Sequence, residues 1–330
     1  MKKQNSLLNI SLLQASMLAF PLMASAQDAA PVKFNALLQS WMISDDSATA
    51  ANPNFRIRRA ELKASGTPLE GLNWFVMVDA AKSITGVAGN DNKILQDLGV
   101  SYTLCEGLDL TMGQFKLRTT AEGLASSGEL PLPERSIVGR FFGDKREPGI
   151  MVAYKRNAFK TAWMISNGQK TNNDDIDGKK DLSARIEYTV LEGLNLGVFT
   201  LASNFSFNEL ARYGFNVNYA DGALSTRAEA AYQKAGNAKG YGWMADVAYA
   251  MEKIEPVVRF EQLKPNDSID ITGIVMTAGV NYYLDGKKSK FQLAYSYLNN
   301  IDAPNGTADS STVATDKTGN AFYVVFQAAL

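Results

Sequence analysis

The chain contains no histidine, which removes the side chain most used as a general base near neutral pH. Ser-His-Asp and Cys-His arrangements go with it, as does every His-ligated metal site. A single cysteine, Cys105, excludes an intrachain disulfide and a Cys-rich zinc or iron–sulfur cage. It reads as a small buried or turn thiol. An excess of charge of one sign is missing as well, with 33 Lys and Arg against 34 Asp and Glu. Nucleic-acid binding would need a surplus of cations. Past the first 26 residues no stretch of about 18 apolar residues occurs, so no spanning helix is expected.

The first 26 residues read as an export signal. Lys2 and Lys3 form a basic start, and an apolar stretch follows from Leu7 to Met23, interrupted by Gln14, Ser16 and Pro21. Ala24-Ser25-Ala26 then offers the small residues that a signal peptidase reads. Cleavage before Gln27 would leave residues 27–330 as one domain of 304 residues, with 31 basic and 34 acidic side chains.

What the chain does have is alternation. Tyr213, Phe215, Val217 and Tyr219 alternate with Arg212, Gly214, Asn216 and Asn218, and Phe291, Leu293, Tyr295 and Tyr297 with Lys290, Gln292, Ala294 and Ser296. A period of two is the mark of a strand with one apolar and one polar face. In a soluble sandwich the apolar faces pack on each other, whereas in an outer-membrane barrel they meet lipid and the polar faces line a lumen. Segments of about 10 residues suit a tilted membrane strand, and the export signal delivers the chain to the right compartment. The expected fold is an all-β transmembrane antiparallel barrel of about 16 strands.

Sixteen segments fit this pattern, near 32–42, 54–66, 71–83, 94–104, 108–116, 148–156, 158–167, 181–190, 194–203, 209–220, 223–235, 240–251, 254–264, 271–283, 289–299 and 320–330. Short connections follow even strands. Glu70-Gly71-Leu72-Asn73, Glu106-Gly107-Leu108-Asp109 and Glu192-Gly193-Leu194-Asn195 are one turn used three times, with Gly supplying the permissive backbone. Asp221-Gly222, Asp285-Gly286 and Lys155 to Ala158 complete the set. Long connections follow odd strands, the longest at 117–147. That parity puts both termini on the periplasmic side and the long loops outside the cell.

Two stretches go beyond pattern. Phe55-Arg56-Ile57-Arg58-Arg59-Ala60-Glu61-Leu62-Lys63 resembles the Arg-rich early strand of the phosphate-selective porin O and P family. Gly113-Gln114-Phe115-Lys116, followed by Glu122-Gly123-Leu124 and Pro133-Glu134-Arg135-Ser136, resembles that family's strand-into-loop segment. The resemblance implies a water-filled, trimeric, passive channel whose long third extracellular loop folds into the lumen. It does not imply phosphate selectivity, because relatives in the family differ in substrate.

The same residues carry physical expectations of their own. Phe55 and Ile57 share a face, but Ala60, Leu62 and Ala64 have the opposite parity, so a bulge near Arg58 and Arg59 is expected. With it, Arg56, Arg58, Arg59, Glu61 and Lys63 all face inward, away from lipid, where a charge costs about 2–4 kcal/mol. The alternative is a basic strand that merely pairs with nearby carboxylates. The long loop balances Arg118, Arg135, Arg140, Lys145 and Arg146 against Glu122, Glu129, Glu134, Asp144 and Glu147, and its Pro131-Leu132-Pro133 and Phe141-Phe142 suggest a packed loop. The expected pore-lining, anion-binding set is Arg56, Arg58, Arg59, Lys63, Lys116, Arg118, Arg135 and Arg140. Arg185 with Glu187, Arg227 with Glu229, and Arg259 with Glu261 read as ionic ladders that stiffen the wall. The runs Asn172 to Asp175 and Ala308 to Thr312 read as solvated loops.

The function expected is an outer-membrane porin for passive diffusion of small hydrophilic solutes. Local Arg and Lys charge makes it anion-preferring despite the slightly acidic chain, with phosphate-like anions among the candidates. Its partners are outer-membrane lipid, small anions and two further copies of itself, without cofactor, metal or nucleic acid. A structural or adhesive barrel with a plugged lumen is the alternative. An outer-membrane lipase or protease is opposed by the missing histidine.

Overall fold

The computed structural model describes residues 31–46, 53–83, 93–268, 271–301 and 314–330. The expected signal, its cleavage point and the Ala308 to Thr312 run lie outside them. The first eight strands are β1 (Lys33–Asp45), β2 (Asn54–Leu69), β3 (Leu72–Asp79), β4 (Leu95–Cys105), β5 (Leu108–Lys116), β6 (Arg146–Arg156), β7 (Phe159–Ser166) and β8 (Asp181–Leu191). The second eight are β9 (Leu194–Ala202), β10 (Leu210–Asp221), β11 (Leu224–Ala235), β12 (Ala238–Tyr249), β13 (Ile254–Lys264), β14 (Gly273–Asp285), β15 (Ser289–Ile301) and β16 (Ala314–Ala329). Each pairs antiparallel with its chain neighbours, and β1 pairs with β16, so the sheet closes on itself. Closure satisfies every strand edge, the condition for a sheet to cross hydrocarbon. No helix among the described residues is long and apolar enough to cross a membrane.

Alternation assigns the faces. On β13 the outward Val258 is 58% exposed, while the inward Arg259 and Glu261 are 6% and 1% exposed. On β10, Phe215 is exposed and its neighbour Asn216 is buried. The barrel is therefore apolar outside and largely polar within, the inverse of a soluble domain.

The turns follow their chemistry. Gly71, Gly107 and Gly193 adopt φ of +76°, +76° and +81°, a region in which an L side chain is strained. A Cβ on Gly107 or Gly193 would also collide with the carbonyl of Lys155 or Ala220 in the adjoining turn. Cys105 ends β4 and is exposed, a turn thiol. One connection breaks the parity of lengths: β11 and β12, an odd and an even strand, are joined through Gly236 and Asn237 alone, with Gly236 at φ +60°.

Register on β2 shows the expected bulge. Gln39 pairs with Arg59 and Ser40 with Ile57, leaving Arg58 as the extra residue. Beyond it Leu62 is exposed outward and Arg59 is buried inward. β3 is shorter than the alternation suggested, ending at Asp79 rather than 83. The Asp79 carboxylate accepts from Ala60 N on β2 (2.9 Å) and from Ala81 N (3.1 Å), which turns the chain into a single 3-10 turn.

Candidate functional site

The connection between β5 and β6 is built from short capped pieces. Thr120 starts the helix α1 (Ala121–Leu124), its hydroxyl accepting from Gly123 N at 3.2 Å. Ser136 starts α2 (Ile137–Phe142) in the same way, accepting from Gly139 N at 2.8 Å. Such caps satisfy amide groups that a helix start leaves open. Gly143 ends α2 so close to Thr120 that a Cβ there would overlap the threonine hydroxyl, and the two pieces pack as a unit.

Apolar residues of this connection pack against apolar residues of the strands. Val138, Phe141 and Phe142 pack with Phe199, Met244 and Leu263 from β9, β12 and β13. Leu132 and Ile137 join Trp41, Val275, Leu298 and Tyr323 on β1, β14, β15 and β16. Pro131-Leu132-Pro133 and Phe141-Phe142 thus supply packing surface to the loop.

Wall side chains also hold the loop's backbone. Glu229 on β11 accepts from Ala121 N (2.5 Å) and Glu122 N (3.2 Å), and Glu261 on β13 accepts from Ile137 N (2.5 Å). Arg185 on β8 donates to Thr119 O (2.7 Å), and Lys290 on β15 to Leu130 O (2.7 Å). Glu122 answers from the loop side: it lies 3.3 Å from Arg259 and 3.6 Å from Arg227 and accepts from the amide and hydroxyl of Ser136. Burial works to raise the Glu122 carboxyl, but Arg259, Arg227 and the Ser136 hydrogen bond outweigh it and hold it below its ordinary value. A buried ion pair keeps its charges only with such complete hydrogen bonding.

Five of the eight expected anion-binding residues meet in two adjoining groups. Glu134 receives Arg58 (2.5 Å), Arg59 (3.6 Å) and Arg140, three guanidinium groups on one carboxylate. Asp144 receives Lys116 and Arg135, each at 3.5 Å. Burial works against the Asp144 carboxylate, yet Arg135, Lys116 and further cations hold it well below the usual carboxylate range. Burial and the nearby Arg58 lower the Arg140 guanidinium to about 9, so it stays cationic at neutral pH. Arg58 also stacks over the Trp41 ring, 5.5 Å from its centre.

The other three stand apart. Arg118 lies over the Phe115 ring and donates to Lys116 O at 3.0 Å through Nε. Arg56 is half-buried on β2 opposite Trp41. Lys63 is exposed, its ammonium 5.9 Å from the Phe75 ring.

The ladder expectation holds for two pairs and fails for one. Arg185–Glu187 (2.8 Å) and Arg259–Glu261 (2.6 Å) are formed. Arg227 turns instead to Asp246 on β12, because Glu229 is occupied by loop amides. Asp246 and the Asp97–Arg146 pair (2.7 Å) had no local signal in the sequence, since both pairings run between strands, β11 to β12 and β4 to β6. The run at 172–175 is tied down at its start rather than simply solvated: Asn172 and Gln114 exchange two hydrogen bonds of 2.6 Å each.

The family model of phosphate-selective porin O and P matches residues 42–212, 171 of the 330 residues. The chain belongs to the phosphate-selective porin O and P family. Among solved structures, the anion-selective porin from Comamonas acidovorans aligns with a TM-score of 0.66 at 11% identity, covering 91% of this chain and all of that one. OmpT of Vibrio cholerae aligns at 0.63 and 13% identity, over 92% and 98%. Salmonella typhi OmpF in complex with daunomycin aligns at 0.61 and 12% identity, over 92% and 98%. Comparison with curated protein sequences finds no match. This porin is thus an outer-membrane channel protein, with a fold shared across porins of very different sequence.

Proposed function

We propose that this porin passes small hydrophilic anions by passive diffusion, that residues 117–145 lie in the lumen as its constriction, and that the protein works as a homotrimer. The observation that carries the anion preference is the group at Glu134, where one carboxylate serves Arg58, Arg59 and Arg140. With Glu61 beside Arg59 (3.8 Å), the group sets three guanidinium groups against two carboxylates, a surplus of one positive charge. Charges at the narrowest point act on an ion at contact distance, while charges on outer loops are screened within about 8 Å at physiological salt. The group therefore overrides the slight acidity of the whole chain. Hydrogen bonds from Glu229, Glu261, Arg185 and Lys290 to the loop backbone support the lumenal position. The trimer is supported by the fold match to OmpT of Vibrio cholerae in its trimer form, with a TM-score of 0.62. Phosphate-like anions fit the charge group, and export through a cleaved signal completes the reading.

The test is purified protein in a planar bilayer under a potassium chloride gradient. Discrete open steps with an anion-selective reversal potential are expected. Replacing Arg56, Arg58 and Arg59 together by Ala should abolish that preference; an unchanged preference would mean that the constriction lies elsewhere. Silence would favour the competing reading, a structural or adhesive barrel with a plugged lumen, which draws on the apolar packing of Val138 and Phe142 against the wall.

A further inference from the structure

A partly open cavity of about 50 Å³ lies between the β5–β6 loop and the wall formed by β13 to β16. Its walls are of two kinds. Leu132 and Ile137 from the loop face Val275, Leu298, Ile301 and Tyr323 from the strands. The charged lining is Arg135, Arg140 and Arg259 against Glu134 and Glu261, a surplus of one positive charge.

The three guanidinium groups are not equally committed. Arg135 is bound by Glu122 O, Ser127 Oγ and Ala125 O and lies beside Asp144. Arg259 serves Glu261, Glu122 and Glu134 O. Arg140 has one partner among the described residues, Glu134 through Nη2, which leaves Nε and Nη1 without a protein acceptor. Glu134 itself is shared with Arg58 and Arg59, so it neutralises Arg140 only in part.

We propose that this cavity is a binding subsite for small aliphatic monocarboxylates, with the carboxylate on Arg140 and the alkyl chain between Val275, Leu298, Ile301 and Leu132. The inference rests on the anion-channel reading and names a solute class within it. A guanidinium with open donors suits a carboxylate, which it binds through paired N–H groups. Inorganic phosphate fits less well: its further oxygens would turn toward valine, leucine and isoleucine side chains and lose hydration without compensation. One guanidinium that is neutralised only in part, Arg140, also matches a monoanion. The cavity has room for about four water-sized groups, so a chain of a few carbons fills it. Burying each methylene improves binding about fourfold, the equivalent of ~0.8 kcal/mol.

The experiment is block of the chloride current through single wild-type channels by sodium acetate, propanoate, butanoate, pentanoate and hexanoate, with inorganic phosphate as comparison. The half-blocking concentration should fall about fourfold per methylene up to roughly four or five carbons, then level off once the cavity is full. Butanoate should block at lower concentration than phosphate. Arg140→Gln should weaken block by all five carboxylates alike and keep the chain-length step. Leu298→Asn should flatten that step and keep block by acetate; Ile301→Ser gives the same readout if Leu298→Asn does not fold. Anion-preferring channels with block independent of chain length, or blocked more strongly by phosphate, would overturn this inference alone. Cation-preferring channels, or none, would overturn it together with the reading on which it rests.

Discussion

Glu134 in the β5–β6 loop lies 2.5 Å from the Arg58 guanidinium on the bulge of β2, a contact between residues 76 positions apart. The bulge makes this possible by turning two consecutive arginines, Arg58 and Arg59, to the inside. Without the extra residue, alternation would send one of them to lipid.

Glu134→Gln should therefore strengthen anion preference. It removes the one carboxylate shared by Arg58, Arg59 and Arg140. A unit charge about 4 Å from an ion is worth ~1 kcal/mol in a water-like dielectric, and its removal favours chloride and disfavours potassium by that much each, so the chloride-to-potassium permeability ratio should rise about thirtyfold. Reversal potentials measure it, and a shift toward cations would contradict the assignment.

Glu122→Ala should loosen the loop. The Glu122 carboxylate joins Ser136 to Arg259 and Arg227, and its loss leaves the buried Arg259 and the half-buried Arg227 short of a partner. Breaking a buried pair from one side costs about 3–5 kcal/mol. A lower unfolding temperature in detergent is expected, together with noisier single-channel currents and faster protease cleavage within 117–145.

At the Asp144 anchor of the loop, acid should act only below the ordinary carboxylate range. The Asp144 carboxyl is held low in the folded protein by Arg135 and Lys116 against the effect of burial. A group with a depressed folded value contributes stability above its unfolded value and loses it as pH falls toward the folded one. The gap in melting temperature between wild type and Asp144→Asn should stay constant from about pH 7 to 5 and shrink below about pH 4. A gap that closes between pH 7 and 5 would contradict the placement of Asp144.

The two faces of β13 and β14 should respond differently to the same charge. Val258 points outward and is 58% exposed, whereas Thr277 on β14 is inward and buried beside Ser296. Val258→Arg should destabilise the barrel in lipid vesicles by about 2–4 kcal/mol, the cost of a cation at mid-bilayer. Thr277→Lys should leave the lipid contact intact and change conductance instead. Urea unfolding in vesicles separates the two.

Much of this was legible in the chain itself. Strand pairing between neighbours is local, so period-two alternation and the Glu-Gly-Leu turns gave all sixteen strands and closure, and the parity break at Ala60 announced the bulge. Likewise, the absence of histidine and the shortage of cysteine removed most catalytic and metal chemistry. Tertiary structure decided which charges meet. Arg227 stands two residues from Glu229 yet pairs with Asp246, because loop amides 108 and 107 residues away claim the glutamate. Lys63 shares the inward parity of Arg59 but stays exposed over Phe75, with no loop carboxylate among the described residues brought to it. The reason is physical: alternation tells a side chain which face it occupies, while its partner depends on register around a closed sheet and on how a 29-residue loop between β5 and β6 packs. Neither is written in any short stretch of sequence.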